Sequence, residues 1–203
     1  MLERLLLGPG RWLAIGLGIL WSAFPIYMVV SSSFKTHRDI FAIPPKFLFQ
    51  PTFENYVRLF REWPQFFDAV ANSLIITAGA TVLTAFASLL AGYAYSRYSS
   101  RVLTGSAFFM VLVRMLPPIV VTIPLFPAIS YLDLTDTHAF LIVLYAAFFV
   151  SLATWILKTF IDEIPRELEE AAEIEGARLW QRLTKVILPL SIHGLVAACV
   201  FVM

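Results

Sequence analysis

The chain has 203 residues, of which 59% are hydrophobic and 14% charged, where soluble domains carry about 25% charged residues. A mean hydropathy of +0.79 and a formal net charge of +1 exclude an ordinary soluble enzyme, a disordered chain and a nucleic-acid binder, and the single cysteine excludes a disulfide scaffold. Such a chain keeps its apolar surface in lipid, and at about 20 residues per span its length leaves room for roughly five helices, so the expected fold class is an all-α polytopic membrane protein.

The first span runs from Trp12 to Val30 without a charged residue. Arg4 and Arg11 ahead of it and Val29-Val30-Ser31 behind it raise the alternative of a cleaved signal peptide, but signal cores are only about 7–15 residues long, so an uncleaved span is expected. Residues 31–69 form a long outer loop in which Pro44, Pro45, Pro51 and Pro64 alternate with aromatics such as Phe41, Phe49 and Trp63. Rings of this kind sit at the headgroup level. A short amphipathic helix from Phe53 to Phe60 is expected, N-capped by Thr52. A docking surface for an outside partner and a plain interfacial anchor both fit this loop.

A second span covers Ala71 to Tyr95, and Ser73, Thr77, Thr81, Thr84 and Ser88 recur on one helical face. Ser73, Thr77 and Thr81 are candidates for lining a polar path, although small hydroxyl residues packing against a neighbouring helix are the stronger account of the same stripe. The third span opens near Leu103 and carries Arg114 about eleven residues in, where an unpaired charge costs at least about 2.5–3.5 kcal/mol. Arg114 must therefore face protein or a water-filled cavity, as a path residue or as a structural Arg held by freed carbonyls. Pro117, Pro118, Pro124 and Pro127 follow, and the loss of donors predicts a kink or break near mid-depth.

The fourth span covers Ala139 to Leu157. Asp133, Asp136 and His138 precede it, and Asp136 or Thr137 as its N-cap explains them better than a metal site. His37 and His193 are lone histidines with packing roles. A fifth span opens near Val186 and is still apolar at Met203. Sidedness follows from Lys and Arg: the short loop Ser96 to Arg101 is purely basic and the loop Asp133 to Asp136 purely acidic, which places the N-terminus in the cytoplasm.

Residues 159–188, between the fourth and fifth spans, hold the most specific signal. Asp162 or Glu163 ahead of Pro165 reads as a helix start, Glu167, Glu169 and Glu170 suit the positive end of the helix dipole, and Gly176 suits a left-handed stop after Glu175. Basic residues Arg178, Arg182 and Lys185 follow, and Pro189 marks the start of the next membrane helix. Ala171, Ala172, Gly176 and Ala177 give the loop a smooth side that permits close approach by another protein. A solvated charged loop with helical propensity competes on composition alone.

This loop resembles the EAA loop of ABC-importer permeases, which reads E-A-A, three residues, G, nine residues, I-x-L-P. The matching residues are Glu170-Ala171-Ala172, Gly176 and Val186-Ile187-Leu188-Pro189, with Val186 in place of the usual Ile. Further stretches are similar to the maltose-type, carbohydrate-importing branch: Ser33-Phe34-Lys35-Thr36, Pro44-Pro45, Asn55-Tyr56, Asn72-Ser73, Arg114-Met115-Leu116-Pro117-Pro118 and Ile123-Pro124-Leu125. The resemblance covers nearly the whole chain.

It implies one transmembrane permease domain over 1–203, in the bacterial inner membrane, that moves a sugar or related solute by alternating access. The partners implied are a cytoplasmic ATPase dimer, a second permease subunit and an extracytoplasmic solute-binding protein. Glu170, Ala171, Ala172, Gly176, Ala177, Leu188 and Pro189 would form the ATPase-coupling loop, with Glu170 meeting basic residues of the ATPase. The resemblance also implies that no cofactor is bound by this chain and that ATP is spent by the partner, and no G-x-x-x-x-G-K-[ST] loop occurs here; nor does H-E-x-x-H or G-x-S-x-G, so no catalytic residue or metal site is assigned. A membrane enzyme acting on lipid and a truncated, nonfunctional permease are the competing readings. The family has six spans, and the apolar run at Cys199 to Met203 has no cap or basic flank, so the sequence reads as a six-helix permease cut short at its C-terminus.

Overall fold

The computed structural model describes residues 9–203, and every regular element among them is helical. The chain divides into two compact units, residues up to Ala69 and Val70–Met203. Three helices are long and apolar enough to cross a membrane, or up to five if each of two bent helix pairs is one span.

In the first unit, α1 (Pro9–Ser33) carries the first span; its apolar side chains, among them Trp12, Trp21 and Val29, are exposed. A short α2 (His37–Ile40) is capped by Thr36, whose hydroxyl accepts from the Asp39 amide. The helix α3 (Glu54–Glu62) starts one residue later than expected: Phe53 is the N-cap, without a side-chain cap bond, and the Thr52 hydroxyl instead accepts from the Glu54 amide at 3.2 Å. Two stretches far apart in sequence meet here. The Asn55 amide donates to the carbonyls of Ser33 at 3.0 Å and Lys35 at 2.8 Å, and the Tyr56 hydroxyl donates to the Ser33 hydroxyl at 2.8 Å. Lys35 is buried, its ammonium 4.9 Å from the centre of the Phe49 ring, a cation–π arrangement. The Lys46 ammonium, then the Thr36 hydroxyl, hold the Asp39 carboxyl below the usual carboxylate range.

The second unit is built on α4 (Gln65–Arg97), which begins just before the unit boundary and contains no proline. Ser100 caps α5 (Arg101–Arg114) by accepting from the Leu103 amide at 3.1 Å. Its continuation, α6 (Pro118–Tyr131), lies 94° away. The break falls at Met115–Pro117 because a residue before proline avoids helical geometry and Pro118 at the first helical position needs no N–H partner. Pro124 and Pro127 lie inside α6 without ending it. The helix α7 (His138–Asp162) is capped by Thr137, which accepts from the Phe140 amide, while Asp133 and Asp136 occupy left-handed positions at φ 54° and 61°. The His138 ring pairs with the Asn72 side chain at 3.0 Å.

After α7 come α8 (Arg166–Ile174), α9 (Leu179–Arg182), a π-helical turn Leu183–Ile187, α10 (Leu188–Leu190) and α11 (Ile192–Val202). Two expectations need correction. Asp162 and Glu163 end α7 rather than start α8, whose N-cap is Pro165. The fifth apolar segment does not open at Val186: Leu179–Leu190 is already helical, and it bends by 79° from Ile192–Val202 at Ser191. Pro189 explains the π turn, since its ring crowds the carbonyl four residues back and gives it no donor, so the ladder widens ahead of it.

The core lies at one end of this unit. Leu89 and Tyr93 of α4, Leu157 and Ile161 of α7, Ile164, Leu183 and Ile187 form one buried cluster. At Gly92 the backbones of α4 and α7 come close enough that a Cβ would sit 3.1 Å from the Lys158 amide nitrogen.

Candidate functional site

The nine-residue α8 begins after the extended Pro165, with Glu167 and Glu169 in its first turn, where the dipole favours negative charge. Its end is a Schellman stop: the Ala177 amide bonds the Ala172 carbonyl and the Gly176 amide the Glu173 carbonyl, both at 2.9 Å, with Gly176 at φ +85°. From there the chain reverses into α9, where the Gln181 side chain accepts from the Arg178 amide at 2.8 Å. An ion pair between Arg182 and Glu173 ties the two arms together. The resulting hairpin is the loop with the EAA-like spacing.

Its helical period sorts the residues into two faces. Glu169 is buried and Ala172 half-buried, whereas Glu170 and Ala171 are exposed and Ile174 is 88% exposed. Leu168, Ala171 and Ile174 thus make an apolar outward stripe flanked by Glu170. Leu179 and Trp180 are exposed on the second arm, the Trp180 ring lying 6.4 Å from that of Phe86 on α4. Ala172, Gly176, Ala177, Gln181 and Lys185 line a surface hollow of about 320 Å³ between the arms. Pro189 is exposed, and Leu188 is half-buried against the core.

The inward glutamate has partners that sequence reasoning missed. Glu169 Oε1 accepts from Arg97 Nε at the end of α4, and Glu169 Oε2 accepts from the Tyr93 hydroxyl at 2.9 Å. Arg97 also donates to the Ile164 carbonyl at 2.9 Å and the Ser96 hydroxyl at 3.1 Å, so each nitrogen of the buried guanidinium makes a hydrogen bond. Both side chains of the pair are at least nine-tenths buried. Removing one partner of such a pair typically costs about 3–5 kcal/mol, because the other charge is left stranded. The available signal was the step of three from Glu169 to Ala172, which marks the less exposed face, but not the residue 72 positions away that meets it.

The candidate path residues are not brought to one place. Ser73 and Thr77 line a half-open cavity of about 360 Å³ with Tyr145, Phe149 and Phe201. Thr81 is buried beside it on the same helix face, and its hydroxyl and that of Thr84 have no hydrogen-bond partner among the described residues. Arg114 lines a separate cavity of about 350 Å³ at the α5–α6 break, with Phe109, Pro118, Phe148 and Ser151.

The family described as "binding-protein-dependent transport system inner membrane component" matches residues 83–203. A probable ABC transporter permease protein of Sinorhizobium fredii is 32% identical over 88% of this chain and 64% of its own length. The trehalose transport system permease protein SugB of Mycobacterium tuberculosis is 36% identical over 90% of this chain and 66% of its own. The trehalose/maltose transport system permease protein MalG of Thermococcus litoralis is 35% identical over 100% of this chain and 71% of its own. The chain spans about two thirds of the length of these curated relatives.

Proposed function

The chain belongs to the family of binding-protein-dependent transport system inner membrane components, and from that premise we propose that it is a membrane-spanning subunit of an ATP-driven importer of a sugar or related solute. The observation that carries the reading is the outward face of the α8–α9 hairpin. Glu170, Ala171 and Ile174 are presented to solvent, while the adjacent Glu169 is turned inward. An apolar stripe on a charged surface hairpin serves no purpose in water and fits a protein-docking site.

In this reading a cytoplasmic ATPase dimer seats the hairpin through Glu170, Ala171, Ala172, Gly176 and Ala177, with Leu188 and Pro189 at its membrane-side root. ATP is hydrolysed in that partner. A second permease subunit completes the path, and an extracytoplasmic binding protein delivers solute to the residue 31–69 side. Closure of the ATPase dimer moves the hairpins and rocks the spans between inward-facing and outward-facing states. Ser73 and Thr77, with Thr81 buried beside them on the same helix, belong to the path, where hydroxyl groups and the aromatic residues Tyr145 and Phe149 line one cavity and offer the mixed polar and apolar contacts that suit a neutral sugar. Arg114, at a broken span, faces the water-filled part of the route. Support for a sugar comes from the trehalose and maltose named for two relatives.

The test is affinity purification of the tagged protein from its native host, with uptake of labelled trehalose and maltose in a strain lacking the gene. An ATPase that co-purifies, and is lost with Glu170→Lys, is the expected result, together with lost uptake of at least one sugar. Normal uptake in the deletion strain and no captured ATPase would overturn the proposal.

A further inference from the structure

We propose that Glu169 and Arg97 form the joint through which movement of the docked hairpin reaches α4, making Glu169 a positioning residue for transport rather than part of the docking face; this rests on the transport reading above. Glu169 is turned away from any partner seated on the Glu170 face. Its carboxylate is held by two donors of one helix, Arg97 and Tyr93, one turn apart on α4. Arg97 also grips the Ile164 carbonyl in the link between α7 and α8, and Arg166 of α8 reaches back to the Ser96 carbonyl at 3.4 Å. The other hairpin ion pair, Arg182 with Glu173, joins only its two arms. Among the described residues, then, the polar connection from hairpin to α4 passes through Tyr93, Arg97 and its neighbour Ser96.

Direction matters for a lever. Apolar packing such as that in the cluster of Leu89, Tyr93 and Leu183 resists compression but slides, whereas a buried carboxylate held by two hydrogen bonds resists displacement either way. The helix it holds is continuous from Gln65 to Arg97 with no proline to act as a hinge. At 1.5 Å per residue, Thr77 lies about 30 Å along the axis from Arg97. One end of α4 is thus fixed to the hairpin and the other carries Ser73 and Thr77, so a tilt imposed at Arg97 is delivered to the cavity those residues line.

Two readouts test this. In proteoliposomes holding the full importer, Glu169→Gln should retain the ATPase and its hydrolysis, while uptake of labelled trehalose or maltose per ATP falls about tenfold or more, in the range of ordinary site-to-site coupling, with the sugar KM unchanged. The exchange Glu169→Arg with Arg97→Glu should recover much of the loss. In the isolated protein, spin labels at Glu167 and Ser99 should report a broadened distance distribution for Glu169→Gln. Wild-type uptake per ATP, or loss of ATPase capture in Glu169→Gln, would overturn the proposal, as would an unchanged distance distribution. Failure of the wild type to capture an ATPase would overturn the transport reading instead, leaving the spin-label distances to decide the joint.

Discussion

Glu169 and Glu170 carry the same charge and are separated by about 100° of helical rotation, which puts one carboxylate on Arg97 and the other in solvent. Gly176 is constrained in a different way. Open space surrounds it, so a side chain there meets nothing; the constraint is its φ of +85°, a region that costs a residue with a Cβ about 1–2 kcal/mol. Gly176→Ala is therefore expected to loosen the turn without unfolding the membrane helices. Hydrogen exchange should speed up at the Gly176 and Ala177 amides, which close the stop, while α7 amides keep their protection and ATPase capture weakens. Unchanged exchange at those two amides would sink the argument. This glycine was legible in the sequence because a left-handed stop is local chemistry: an acidic helix start, eleven residues and a glycine suffice to place it. The Arg97 partner of Glu169 was not, since a nine-residue helix reveals which face is inward and nothing about the element that lies beneath it.

Among elements, the crossing of α4 and α7 is set by Gly92, where a Cβ would crowd the Lys158 nitrogen, the Leu157 Cβ and the Thr154 carbonyl within 3.1–3.3 Å. Backbone cannot yield as a flexible side chain does, so Gly92→Ala should lower the thermal unfolding midpoint in detergent, by an amount equivalent to about 1–3 kcal/mol. Gly105 of α5 has nothing within 4 Å of a built Cβ, and Gly105→Ala should be neutral or stabilise by up to about 1 kcal/mol through helix propensity. Equal effects of the two variants would show that propensity and not the crossing decides. The spans themselves were readable from apolar length, and the third was readable as broken because four prolines follow Arg114. Which proline breaks it was not, because each removes one donor. The outcome depends on adjacency: Pro117-Pro118 both disfavour helix before them and permit a new start, while Pro124 and Pro127 are isolated and α6 absorbs them. The bend at Ser191 had no comparable mark, and the buried Ser191 hydroxyl bonding the Ile187 carbonyl at 2.7 Å is visible only in the structure.

For the molecule as a whole, composition points to lipid as the solvent, and the basic residues predict which side each loop faces. The exposed Trp12, Trp21, Phe108 and Phe109 belong against lipid or another subunit, and α4, at about 1.5 Å per residue over its 33 residues, is longer than a hydrocarbon core of about 30 Å. What decides direction is the asymmetry of two short loops, Arg97 and Arg101 in one and Asp133 and Asp136 in the other, since positively charged loops are retained on the cytoplasmic side. The protein offers a direct check, because Cys199 is its sole cysteine. In a Cys199→Ser background, Leu48→Cys lies in the segment ahead of α4 at a residue 94% exposed, and Ser99→Cys lies in the exposed basic loop after it. A membrane-impermeant maleimide should label Leu48→Cys in intact cells and Ser99→Cys only after permeabilisation. The reverse pattern would overturn the sidedness and with it the placement of the α8–α9 hairpin on the ATPase side, since that hairpin follows the even-numbered fourth span as the Ser99 loop follows the second. Labelling of both in intact cells would remove α4 from the membrane altogether, and a lever running from Arg97 to Thr77 would then have no bilayer to cross.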